Sequence, residues 1–164
     1  MASTVDQNFE QLSYSGPNLS QHKAAARKVI GDGVATRTLT AKESGALCLH
    51  DLAAGVVYTL PTPSIGMTFE FLCSTTITSN SAKVLTNLAT EFLLGSIGVF
   101  NSGAATAQGF LANGTTIRSV NGNGTTTGGV AGDTYRVTAL SATQWAVSGR
   151  MTNTGTAATP FATS

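Results

Sequence analysis

This chain has little charge, few histidines and cysteines, few prolines and no long apolar run. Only 10% of its 164 residues are Asp, Glu, Lys or Arg, where an ordinary domain has about 25%. Nine basic and eight acidic side chains leave a net charge of +1. That balance argues against a basic nucleic-acid-binding face, and 41% apolar content argues against charge-driven disorder of the whole chain. Apolar stretches such as residues 92–94 are strand-sized, far short of the roughly 20 residues of a membrane span. The N-terminal MASTVDQNFEQLSYSGPNLSQHKAAARKV has no apolar region of signal-peptide type, so synthesis in a cytosol is expected. Cys48 and Cys73 sit in apolar runs without C-x-x-C spacing. Buried free thiols are therefore expected, with a disulfide between neighbouring strands as the alternative.

The scarcity extends to chemistry. His22 lies in an irregular segment, and His50-Asp51 ends an expected strand, where adjacent residues point to opposite faces. That pair reads as solvent-facing, and there is no G-x-S-x-G elbow. Two His, two Cys and scattered carboxylates are a thin supply for a metal site, and Asp32 between two glycines reads as a turn. Glu70 and Glu91, the mid-body glutamates, have nothing in the sequence to bring them together as a glycosidase pair and read as solvent-facing. The Gly-rich run 121–129 lacks the Lys-Ser/Thr of a P-loop and reads as a mobile loop tip. No catalytic residue, cofactor site or metal site is expected.

In place of charge stand Thr, Ala, Gly and Ser, together 81 of the 164 residues. Thr suits strands and Gly suits turns, while neither favours helix interiors. Three regions follow. Residues 1–33 form an irregular N-terminal arm holding Phe9, Leu12 and Tyr14, with a possible short helix over 22–30. Residues 34–150 read as strand after strand. The clearest period-2 pattern places Met67, Phe69, Phe71 and Cys73 on one face. A last hairpin sets Tyr135 and Val137 against Trp145, so Phe69, Phe71, Tyr135, Val137 and Trp145 are the expected core. Asn-Gly at 113–114, 121–122 and 123–124 signals hairpin turns. The sequons at Asn18, Asn113 and Asn123 read as turn residues. Residues 151–164 lose periodicity and read as a C-terminal tail. The expected class is all-β, a single β-sandwich or jelly-roll-like domain, because no segment offers the crossover helices of βαβ units.

Several strands are apolar on both phases, for example Leu93 and Ile97 against Phe92 and Leu94, as strands covered on both faces are. A weakly charged β body with this pattern suits an assembly subunit. The stretch from Arg37 through RTLTAKESGALCLHDLAAGVVYTLPTP to Pro63, then Gly66-Met-Thr-Phe-Glu-Phe71, resembles small tailed-phage virion proteins described as head decoration or cement proteins. Thr76-Ile-Thr-Ser-Asn80, Asn123-Gly-Thr-Thr-Thr-Gly-Gly129, Ala139-Leu-Ser-Ala-Thr-Gln-Trp145 and Ala158-Thr-Pro-Phe-Ala-Thr-Ser164 extend the likeness over most of residues 34–164. The resemblance implies a non-enzymatic protein, made in a bacterial cytoplasm and seated as a homotrimer on the outside of an icosahedral head. Its partner there is the major capsid protein, with neither nucleic acid nor membrane as a direct partner. Phe9, Leu12, Tyr14, Arg27 and Phe161 are the candidate anchors to that partner. The alternative is a head-fibre or tail-fibre domain that binds host-surface glycans, with Asn113 and the 121–129 loop as the place to look.

Overall fold

The structure, a computed structural model, describes residues 26–79 and 82–164. Among these residues twelve strands build two sheets: β1 (Val29–Ile30), β2 (Thr36–Thr38), β3 (Leu47–His50), β4 (Val57–Thr59), β5 (Thr68–Cys73), β6 (Ala82–Leu85), β7 (Phe92–Asn101), β8 (Ala107–Asn113), β9 (Ser119–Gly122), β10 (Thr134–Ala139), β11 (Gln144–Asn153) and β12 (Phe161–Ala162). One sheet has seven strands in the order β1-β3-β5-β10-β11-β7-β8, the other five in the order β12-β9-β6-β4-β2. The chain is an all-β sandwich, as its Thr- and Gly-rich composition implies.

The core forms where the inward phases of both sheets meet. β5 alternates half-buried Thr68, Glu70 and Leu72 with buried Phe69, Phe71 and Cys73. β10 and β11 make the expected hairpin, pairing Val137 with Val147 and Ala139 with Trp145. Phe69, Phe71, Tyr135, Val137 and Trp145 are all buried. The Phe71 and Tyr135 rings stack at 5.2 Å, and Phe69 meets Trp145 at 6.1 Å, separations at which aromatic pairs attract beyond their area burial. Gly149 lets β11 lie close to β10, since a Cβ there falls 2.3 Å from that of Tyr135.

The absence of α-helices among the described residues does not prevent parallel pairing. β1, β3 and β5 are parallel neighbours in the large sheet, and β2, β4 and β6 are parallel neighbours in the small one. Each crossover is a strand of the opposite sheet, so the chain coils between layers and buries both. This meets the need for a long crossover with β structure instead of a helix. Although they are neighbours in sequence, β2 and β3 do not form a hairpin, because they lie in different sheets. A 3-10 turn, Ala41–Glu43, joins them.

Both ends of the division into arm, body and tail also change. The part of the 22–30 helix that falls on described residues is not helical. Val29–Ile30 instead pair with Leu47 and Cys48 at the sheet edge, where Ile30 is 3% exposed. The tail re-enters the sandwich: β12 pairs with β9, opposing Phe161 to Val120.

Candidate interaction surface

The groups that could carry chemistry are mostly enclosed. His50 is buried rather than solvent-facing, because its strand position turns it inward among Tyr58, Phe71 and Tyr135. Its Nε2 lies 3.1 Å from the Tyr135 hydroxyl, and burial pushes its pKa down to about 4. Glu91 is likewise buried, since its carboxylate turns back to accept the Asn87 and Leu88 N–H groups at 3.0 and 3.2 Å. Glu70, by contrast, lies on the outer face of the large sheet and pairs with Arg27 at 2.6 Å. Cys48 and Cys73 are free and buried, and desolvation raises both thiols to about 12. Among the described residues no group of three or more His, Cys, Asp or Glu side chains is placed to hold a metal ion, and no helix is long and apolar enough to cross a membrane.

The loops singled out for glycan binding are occupied by their own hydrogen bonds. Asn113 and Asn123 each open an Asn-Gly-Thr-Thr turn of the same build. The Asn113 Oδ1 accepts the Thr115 and Thr116 N–H groups at 3.0 and 2.9 Å, and its Nδ2 donates to the Thr116 hydroxyl at 2.7 Å. Asn123 repeats this with Thr125 and Thr126. The sequon asparagines in the described part of the chain are therefore turn residues. None of the three Asn-Gly steps makes a hairpin: 113–114 and 123–124 lie on connections from one sheet to the other, and 121–122 lies within β9. The 121–129 run is corrected from a mobile tip to a packed loop. Gly124 bonds to the Gly128 carbonyl at 2.7 Å, and Ile77 to that of Gly129 at 2.8 Å. A Cβ on Gly124 meets the Ile77 oxygen at 1.7 Å. A shallow recess of about 290 Å³ beside it is lined by Lys83, Asn121, Gly122, Asn123 and Thr127. It has no aromatic wall, and the Lys83 ammonium already bonds to the Ser164 carbonyl at 3.0 Å.

What stays open is the far end of the large sheet. Residues 92–117, which contain all of β7 and β8, include no charged side chain. The register places Leu94, Ser96, Gly98 and Phe100 of β7 on the outer face, opposite Asn113, Leu111, Gly109 and Ala107 of β8. Leu111 is 78% exposed, Phe100 49% and Leu94 39%. The Phe100 ring lies over Gly98, within 3.2 Å of where a Cβ would stand, while beside Gly109 there is open space. The outcome is an uncharged, largely apolar ribbon with open space beside Gly109 near its centre. Toward the middle of the sheet Arg136 and Arg150, diagonal neighbours across β10 and β11, are exposed and carry no ion pair among the described residues.

Of the candidate anchors, Phe9, Leu12 and Tyr14 lie outside the described residues. Arg27 is tied to its own chain through Glu70 and the Gly45 and Ala46 carbonyls, at 2.8 and 3.1 Å for the latter two. Phe161 is 6% exposed and belongs to the core cluster, so its place as a partner anchor is corrected: the β12–β9 pairing turns it inward. Sequence reasoning missed Leu94, Phe100 and Leu111. The signal for them was the two-phase apolarity of β7 together with the run of uncharged residues between Glu91 and Arg118. No family model matches this chain, and neither a curated protein nor a solved structure shows significant similarity to it.

Proposed function

We propose that this is a structural virion subunit, a decoration protein that seats on the outside of a tailed-phage head and holds neighbouring major capsid protein subunits together. The observation that carries this reading is the uncharged β7–β8 ribbon with Leu94, Phe100 and Leu111 exposed. Soluble surfaces ordinarily disperse such side chains among charges, and contiguous exposed apolar groups mark interaction sites. The kind of assembly is taken from the resemblance that the motifs within residues 34–164 bear to head decoration proteins. The mechanism is mechanical: contact area that exists only on the assembled lattice opposes its separation.

The test uses heads of a phage that encodes the protein, purified without it. Added full-length protein is expected to co-sediment with expanded heads and raise their heat resistance. Changing Leu94 and Phe100 together to Ser is expected to weaken binding about tenfold or more, the loss of two apolar contacts. Failure of the unaltered protein to bind such heads rejects the reading.

A further inference from the structure

We propose that the protein pairs with a second copy of itself along the free edge of β8, antiparallel and with the two-fold axis at Phe110. The inference goes beyond the capsid reading and stands on edge geometry alone. The ladder between β7 and β8 fixes which backbone groups face outward. At its ends the Asn101 N–H bonds to the Thr106 carbonyl at 2.9 Å, and the Gly114 N–H to the Leu93 carbonyl at 2.8 Å. In the constant register between them, even-numbered residues of β8 bond to β7. Ala107, Gly109, Leu111 and Asn113 therefore turn their N–H and C=O groups toward the open edge, since these alternate along an antiparallel strand.

Among the described residues nothing pairs with this edge; an edge of this length is a template for another strand, and proteins that remain single blunt it with lysine, proline or a bulge. β8, Ala-Gln-Gly-Phe-Leu-Ala-Asn, has none of these. The other edges do not match it. β1 and β12 have two residues each, and β2 has three with Arg37 at its centre. Pairing about Phe110 sets Gly109 of one copy opposite Leu111 of the other, and Ala107 opposite Asn113, in each case residues whose backbone groups are free. The Leu111 side chain, 78% exposed, then covers the open space at the second copy's Gly109. The charge pattern suits the same occupant. A two-fold contact sets this patch against a copy of itself, so a net charge on it would face its like, and neither β7 nor β8 has one. The two seven-stranded sheets become one continuous sheet, with Leu94 and Phe100 on its outer face.

Sedimentation equilibrium of the full chain tests this. The expected mass at high concentration is twice 16.7 kDa. Leu111→Lys is expected to weaken the dimer by roughly ten- to a hundredfold, the loss of one covered leucine, with an unchanged far-UV spectrum. Register is tested with Gly109→Cys and Leu111→Cys made separately, each on the background of the buried native thiols. On oxidation, a mixture of the two is expected to cross-link far more than either alone, because directly opposed hydrogen-bonded positions about 5.5 Å apart suit a disulfide. This second measurement decides the matter if Leu111→Lys does not fold. A monomer at all concentrations, a trimer indifferent to Leu111→Lys, or either cysteine variant cross-linking best with itself overturns the proposal.

Discussion

Glu43 joins the open sides of the two sheets with one carboxylate. Its Oε1 accepts Lys28, just before β1 of the large sheet, at 2.8 Å, and Arg37, on β2 of the small sheet, at 2.7 Å. Its Oε2 accepts the Thr40 N–H at 2.9 Å. Arg37 reaches Asp32 as well. Lys28 foremost, then Thr40 and Arg37, hold the Glu43 carboxyl at about 2 against the opposing effect of burial. A carboxyl with a depressed folded pKa stabilises above its unfolded value and loses that contribution as pH falls through the folded one. The Glu43 contribution is thus present above about 4.5 and disappears toward 2. His50 acts in a neighbouring window. Burial lowers it from 6.5 to about 4, so between those values the unfolded chain takes up a proton that the native protein refuses, and stability falls. Urea unfolding from pH 7 to about pH 2 is the check. Glu43→Gln is expected to cost about 1–3 kcal/mol at pH 7, discounted for the exposed Lys28, and to lose the difference from wild type near pH 2–3. His50→Gln is expected to flatten the decline between pH 6.5 and 4. A wild-type profile flat across that interval counts against the buried, neutral histidine.

At the scale of elements, β12 shows how little chain is needed to close a sheet. Two residues pair with β9, and Phe161 enters the core. Phe161→Ala is expected to destabilise by about 3–5 kcal/mol, the range for removing a buried aromatic. The same change should speed amide exchange at Arg118 and Asn121, which donate to the Ala162 and Pro160 carbonyls at 2.8 and 2.7 Å. Unchanged exchange there means that β12 does not hold the edge. Such a strand is illegible in sequence, because a two-residue element has no period and Pro160-Phe161 resembles any tail. β5 and the β10–β11 hairpin were legible for the opposite reason: one covered face stamps a period of two on six or more residues. The parallel coil of β1 to β6 was not, since periodicity reports which face is buried and says nothing of which strand lies alongside. The same limit governed the candidate surface. Residues 92–99 read as apolar on both phases and suggested cover on both faces, but only strand order makes β8 an edge and leaves Leu111 uncovered.

For the whole molecule, scarcity of charge becomes a matter of placement. On the large sheet's outer face Glu70 is neutralised by Arg27 while Arg136 and Arg150 stand exposed toward the middle, and the Glu43 cluster is spent on joining the two sheets. The β7–β8 end is left with none. The N-terminal segment is therefore not one functional unit. Arg27, Lys28 and Ile30 belong to the body: Leu47 donates to the Lys28 carbonyl at 2.9 Å, Ile30 is buried, and Arg27 covers the Gly45 and Ala46 carbonyls. This sharpens what truncation should do. Removing residues 1–25 leaves the β1–β3 ladder and both ion pairs intact, so the urea midpoint is expected to stay within error of the full chain. Removing residues 1–30 strips β1, exposes β3 as a raw edge and frees Glu43 from Lys28. The expected cost is about 3–5 kcal/mol, from one buried isoleucine and several charge-assisted hydrogen bonds. Equal midpoints for the two truncations place the boundary of the body at Gly31 or beyond and remove β1 from its stability. A large loss already at residue 25 makes the preceding segment part of the fold. Either way the pair of truncations separates the chain that builds the sandwich from the chain available for contact, and head binding by the form lacking residues 1–25 then tells which of the two does the gripping.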